Sequence, residues 1–316
     1  MRWFGFGFNA FGQIIVHEKS MEGARGDANE VKVSGPTELT SQADRPGCCV
    51  KTACDSGVCL AGFLSSDACR GLPLRESRGC RDALIGESCL TLAFSDRLES
   101  WDLQKEEKTP AWSMDIKTPP ESSGACVALP LVPGGYIATK PPLYRSLSPQ
   151  LRAKRLALSS EHAILLSASG AVYTWGLGSH GQLGHGGLAS EEEPRAVEAL
   201  LGMPMSCIAT GNWHTVCISD GGDLYVWGWN ESGQLGLPSR GLRKALQQQS
   251  SQQAATGDLY TWGWGDYGQL GHQTLISSDE PQRVEFFREQ QMHVSDVVCG
   301  SWNTFAAVAK EEVSCA

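Results

Sequence analysis

The chain has 316 residues, 36 of them glycine, and only 19% are charged, which suits many short strands joined by tight turns better than long surface helices. Its 26 basic and 35 acidic residues leave a net charge of −9, which argues against a broad phosphate-gripping face for sequence-specific nucleic-acid binding and suits basic protein partners. Eight of the twelve cysteines lie between Cys48 and Cys126 without the paired spacing of a zinc site, no secretory signal is visible, and no apolar run reaches the roughly 18 residues that span a membrane, so an intracellular protein with free thiols is expected.

Residues 1–16 contain Phe6-Gly7-Phe8-Asn9-Ala-Phe-Gly12-Gln13-Ile14. This stretch matches Trp227-Gly228-Trp229-Asn230-Glu-Ser-Gly233-Gln234-Leu235 position for position, aromatic for aromatic. The C-terminal Gly300-Ser-Trp302-Asn303-Thr304 in turn matches Gly211-Asn-Trp213-His214-Thr215, but no Trp-Gly strand follows it. The first stretch supplies what the last unit lacks, so the two ends are expected to pair and remove a sheet edge.

Residues 17–60 are polar and read in part as a loop. Ser56-Gly57-Val-Cys-Leu-Ala61 is a worn repeat with Ala61 at the Trp position, and Ser95-Asp-Arg-Leu-Glu-Ser-Trp101 is a clearer one. Ser88 then stands where better repeats carry His162 and His214. Residues 104–126 read as a solvated loop. Between Lys140 and Arg155 lie five cations and no acid. Tyr144, Arg145, Arg152, Lys154 and Arg155 are candidate contacts for an acidic partner surface. Ser148 followed by Pro149 predicts a helix cap and first turn.

From residue 156 the repeat is clean. Each unit gives an apolar strand with His, a Gly turn, a Tyr-x-Trp-Gly strand and a Gly-Gln-Leu-Gly turn, seen around Trp175, Trp227 and Trp262. Trp175 and Trp227 are 52 residues apart, but Trp227 and Trp262 only 35, and no Gly-x-x-His strand precedes Trp262. The region 237–256 is therefore shortened. Phe6, Trp175, Trp227 and Trp262 are expected at boundaries between neighbouring units, where an indole buries about 200 Å². Gly7, Gly176, Gly228 and Gly263 let backbones approach closely. Gly12, Gly181, Gly233 and Gly268 are expected at positive φ, and Asn9 and Asn230, standing where Gly178 does, support that reading. His162 and His214 recur once per unit, which fits structural hydrogen bonding rather than catalysis.

Gly176-x-Gly178-x-x-Gly181 satisfies a dinucleotide-binding pattern, but the Gln-Leu-Gly that follows breaks the helix that pattern requires. No nucleophile elbow, paired catalytic carboxylates or metal-spaced cluster appears; His180 and His185 share a turn without a third ligand. No catalytic residue, cofactor or metal is expected.

The Tyr-x-Trp-Gly-x-Gly-x-x-Gly-Gln-Leu-Gly units and the Gly-x-Trp-His-Thr strand resemble the regulator of chromosome condensation repeat family, specifically across 156–308 and 3–15 and weakly across 17–150. The resemblance implies an all-β, seven-bladed β-propeller, of which about six blades are discernible here. It spans 1–316 as a single domain: a closing strand at 1–16, degenerate blades and loops at 17–150, and clear repeats at 151–316. Through Trp3-Phe-Gly-Phe-Gly-Phe8 and Tyr144-Arg-x-Leu-x-Pro-x-Leu-Arg-Ala-Lys154 the chain is most similar to a small chromatin-linked branch. That branch implies a monomeric, non-enzymatic nuclear protein whose partner is a JmjC-type oxygenase acting on histone lysine methylation, with histones as further partners and a role in chromosome segregation. The alternative within the family is nucleotide exchange on a small Ran-like GTPase, which needs an inserted wedge that the clean repeats do not carry.

Overall fold

The computed structural model describes residues 2–9, 14, 32–39, 54–55, 58–59, 81–86, 89–102, 109–116, 128–237, 257–299 and 303–308. The strands in chain order are β1 (Arg2–Phe8), β2 (Lys32–Glu38), β3 (Cys54–Asp55), β4 (Val58–Cys59), β5 (Asp82–Ile85), β6 (Cys89–Ala93), β7 (Arg97–Asp102) and β8 (Trp112–Asp115). They continue with β9 (Leu131–Val132), β10 (Gly135–Ile137), β11 (Tyr144–Ser146), β12 (Ala153–Leu158), β13 (His162–Ser167), β14 (Val172–Gly176) and β15 (Glu191–Ala196). The last are β16 (Met205–Thr210), β17 (His214–Ser219), β18 (Leu224–Gly228), β19 (Tyr260–Gly263), β20 (Ser278–Arg283), β21 (Val294–Cys299) and β22 (Asn303–Val308). Among the described residues the helical elements are two 3-10 turns, Pro149–Leu151 and Glu198–Leu200, and one short helix, α1 (Glu285–Glu289); none is long and apolar enough to cross a membrane. The antiparallel sheets are the blades of a β-propeller, and the fold is all-β as expected. Contacts divide the chain into two compact units, one made of residues 1–42, 56–61 and 230–316, the other of 43–55 and 62–229.

In the first unit both chain ends share one sheet, in the order β2-β1-β22-β21. Arg2 faces Val308 and Gly7 faces Asn303, so the expected clasp between the two ends is present. Strand β1 is buried on both faces because it lies between two strands and carries Phe4 and Phe6 into the interior. Phe4 meets Phe287 of α1 edge-on at 5.5 Å, a geometry that aligns ring edge with ring face. Phe305 of β22 lies under Gly5, at a distance that leaves no room for a side chain there. The disguised repeat copy is also confirmed by its turn. Asn9 Oδ1 accepts from Ile14 N at 2.7 Å, as Asn230 Oδ1 accepts from Leu235 N at 2.9 Å. Gly12 lies outside the described residues.

In the second unit, sheets β5-β6-β7-β8, β11-β10-β9, β12-β13-β14-β15 and β16-β17-β18 follow in chain order. Apolar alternation sets each core: Ile164, Leu166 and Val172 pack with Val197, Met205 and Cys217, while Leu156, Leu165 and Trp175 pack with Tyr136. Pro194 and Pro281 lie in β15 and β20, each a terminal strand of its sheet, where a missing N–H interrupts no ladder.

Several expectations need correction. Among the described residues five sheets carry three or four strands, and the Trp262 unit is only the ribbon β19-β20, so six blades are not all present. The cause is the shortened repeat, which omits the Gly-x-x-His strand that would precede β19. The stretch 17–60 contains strand β2, which pairs with β1. The stretch 104–126 contains strand β8: Trp112 and Met114 alternate with exposed Ser113 and Asp115 and pack on the Leu98 and Ile137 cluster. In the Trp101 repeat Cys89, not Ser88, stands opposite the residue after Trp (Cys89 faces Asp102 as His162 faces Gly176), because the intervening hairpin is one residue shorter. Ser88 and Ala61 lie outside the described residues.

Candidate functional site

The recurrent residues build a latch between successive units. The Gly-Gln-Leu-Gly turn is formed by Gly181 and Gly184, at φ 73° and 74°, a left-handed conformation that glycine adopts at little cost. This turn leaves the Gln182 carbonyl facing the next unit, where it accepts from Trp227 Nε1 at 2.9 Å and from Thr215 Oγ1 at 2.7 Å. The Gln182 side chain braces the turn, its Oε1 accepting from His180 N at 2.8 Å. In the first unit, Trp262 Nε1 donates to Gln234 O at 2.9 Å and Thr304 Oγ1 to Gln269 O at 2.9 Å. Phe6 fills the indole position without an N–H to give, its ring against Gly271 as Trp227 lies against Gly184. Trp175 follows a sheet with no such turn and donates instead to Tyr136 OH at 3.2 Å.

Two of the glycines that follow a tryptophan have the close approach expected, Gly176 and Gly228, whereas the nearest neighbour at Gly263 is the Gln234 Cα at an ordinary 3.5 Å. A side chain on Gly228 would strike the Trp213 carbonyl, and one on Gly176 would meet the Glu161 carbonyl at 2.5 Å. Gly7, Gly176, Gly228 and Gly263 share φ between 104° and 118°. Gly233 and Gly268 are also at positive φ, as expected. Gly178 is not, which corrects the reading taken from Asn9 and Asn230. Glycine is needed there because a side chain would collide with the Ala189 carbonyl, and the asparagines serve by hydrogen-bonding their own turn.

His162 is 3% exposed and bound at both ring nitrogens, Nδ1 to Ser159 Oγ and Nε2 to Thr215 Oγ1, each at 2.8 Å. The Thr215 hydroxyl has one proton and directs it to Gln182 O. The ring therefore donates from Nε2, and its Nδ1 lies beside the Ser159 hydroxyl, which is also within reach of the His162 carbonyl at 3.0 Å. Burial, then the nearby His214, lowers its pKa from 6.5 to about 4, so the ring is neutral and structural. His214 is also pushed down by burial, but its ring has no hydrogen-bond partner among the described residues. The counterpart of Thr215 would come from the strand that the shortened repeat omits. A second recurrent pair escaped the sequence reading: Thr174 Oγ1 bonds Leu183 O and His185 Nε2, and Thr261 Oγ1 bonds Leu270 O and His272 Nε2. The signal was a histidine directly after each of these Gly-Gln-Leu-Gly turns.

Replacing Thr215 with the isosteric valine removes two of these bonds, one of them made by the buried His162 ring. A loss of about 2–3 kcal/mol in urea unfolding is expected; a loss below about 0.5 kcal/mol would show that the latch is not a structural determinant.

In the basic segment Arg145, Arg152, Lys154 and Arg155 are exposed, whereas Tyr144 is half-buried. Arg145 lies on β11, Arg152 follows the 3-10 turn, and Lys154 and Arg155 begin β12. Ser148 caps that turn by accepting from Gln150 N, as its position before Pro149 predicts. On the same unit a second exposed feature gathers three rings: Trp213 and Trp229 meet edge-on at 5.1 Å, with His180 5.8 and 6.0 Å from them.

Regulator of chromosome condensation (RCC1) repeats match at residues 169–218, 221–251 and 256–307, with a second form of the repeat at 153–182 and 206–234. RCC1 domain-containing protein 1 of Homo sapiens is 35% identical, with 96% of each chain covered; that of Mus musculus is 34% identical, over 99% of this chain and 98% of its own. The crystal structure of human WBSCR16 superposes at a TM-score of 0.67 over 99% of both chains, at 16% identity, and shares the fold. The repeats and the full-length similarity place this chain in the regulator of chromosome condensation (RCC1) repeat family, as a homologue of RCC1 domain-containing protein 1.

Proposed function

We propose that the chain is a non-enzymatic, chromatin-associated scaffold that holds a nuclear JmjC-type histone demethylase and acts in histone methylation state and chromosome segregation. The observation that carries this reading is the end-to-end similarity to RCC1 domain-containing protein 1. It is supported by the latch, which accounts for the recurrent Trp, Gly and His residues as parts of the fold and leaves loops and exposed strand segments for recognition. The net charge of −9 suits histones as further, basic partners. Affinity purification of the tagged chain from nuclear extract is expected to recover a JmjC oxygenase, with histones, by mass spectrometry. Recovery of neither overturns the reading. Nucleotide release from a Ran-like GTPase is expected to stay at its uncatalysed rate, and acceleration would favour exchange activity instead.

A further inference from the structure

Four arginines elsewhere each hold a carboxylate: Arg2 with Glu38, Arg97 with Glu99, Arg195 with Glu191, and Arg283 with Glu285. Arg145, Arg152, Lys154 and Arg155 hold none among the described residues, although acidic side chains outnumber basic ones in the chain. Arg155 donates to the Cys207 sulfur at 3.2 Å. Four cations left without counterions on one short segment are costly to keep together, since like charges repel.

The segment that carries them is firmly built. Tyr144, Leu147, Leu151 and Leu156 pack inward at intervals, against the Leu98 and Ile137 cluster and the Tyr136 and Trp175 cluster. Leu147 N donates to Gly134 O at 3.1 Å, and Ala168 N donates to the Arg152 carbonyl at 2.8 Å. Arg152 itself is held at φ 44°, one of three described non-glycine residues at positive φ, a conformation that persists only where the surroundings impose it. At Lys154 the ladder between β12 and β13 shifts register, Ala153 facing Ser167 and Arg155 facing Leu166, a bulge of the kind that re-aims side chains. Strands β11 and β12 are each terminal in their sheets, so no further described strand extends either ladder at this segment.

We propose that residues 144–155 form a docking strip for an acidic, extended segment of a protein partner. The apolar anchors fix the backbone, and Arg145, Arg152, Lys154 and Arg155 supply the carboxylate-binding groups, the arginines able to bind them bidentately. A short acidic peptide suits four cations. A nucleic acid needs more phosphates neutralised than four cations supply. The proposal rests on the scaffold reading only for which protein supplies the segment.

The test uses the full chain and a fluorescein-labelled Asp/Glu-rich peptide, read by fluorescence anisotropy at low salt, with labelled single-stranded DNA of similar net charge beside it. The variant Arg145→Glu/Lys154→Glu is compared with Arg81→Glu/Arg288→Glu, which changes net charge equally at exposed positions off the strip. Matching thermal melts establish that both variants fold. The strip variant is expected to bind the peptide at least about 10-fold more weakly, with the control near wild type. No peptide binding by the wild type, equal loss in the control, or tighter binding of DNA than of peptide overturns the proposal. Peptide binding with no JmjC oxygenase recovered from extract would leave the strip standing and remove the scaffold reading. The reverse result would remove the strip alone.

Discussion

Replacing Phe6 with alanine is expected to lower stability by about 3–5 kcal/mol, among the largest losses for a single side chain in this protein. Phe6 has no exposed surface and lies on the strand that joins β2 to β22. Its ring fills the place that Trp227 and Trp262 fill in their own units, against Gly271. The substitution opens a cavity that Gly271 cannot fill, and it loosens the pairing of the two chain ends. Urea unfolding followed by tryptophan fluorescence measures the loss. A shift below about 1 kcal/mol would mean that the first strand contributes little to the unit that contains it.

The second large effect is a dependence on pH. In the unfolded chain His162 takes up a proton near 6.5, whereas in the folded protein burial delays uptake to about 4. Between these values the unfolded state binds more protons, so stability rises with pH. It is fully present above 6.5 and declines as pH falls to 4. The decline attributable to this ring is about 3 kcal/mol. Protonation places a charge on a buried ring, in a site with no described carboxylate bonded to it. Urea midpoints measured across this range are expected to fall for the wild type and to fall less steeply for His162→Gln. Equal slopes in the two proteins would remove His162 as the cause.

The sequence was most informative where a residue must do the same job in every unit. Trp175, Trp227 and Trp262 could be aligned because each needs a large ring and a glycine neighbour, and Phe6 could be added because shape, more than the indole N–H, defines the position. The hydrogen bonds were less legible. Gln182 serves the next unit through its backbone carbonyl, which every residue possesses, so nothing in its side chain announces the acceptor. Strand β8 was missed because Trp112–Asp115 is short and polar on one face, and β2 because Lys32–Glu38 carries Gly35 and Pro36 in its middle; pairing with β7 and β1 decides their conformation. Cys89 in place of Ser88 is a one-residue hairpin difference that counting from Trp101 does not reveal. The basic strip could be read as a row of charges, whereas the left-handed Arg152 and the bulge at Lys154 depend on contacts with β13 and the preceding turn.

The sheet shared by the two chain ends has a bearing on synthesis. Arg2 and Val308 face each other across neighbouring strands although about 300 residues separate them along the chain. Closing so long a loop is entropically costly and slow compared with forming local hairpins. On the ribosome, β1 emerges before the other described strands and waits without its β22 neighbour until the residues between them have been made. Residues 62–229, by contrast, form a nearly continuous unit whose hairpins can assemble as they appear. During that interval Trp3, Phe4 and Phe6 lack the β22 neighbour that helps bury them, so the nascent protein is prone to aggregate, and a chaperone is most useful, until β22 arrives.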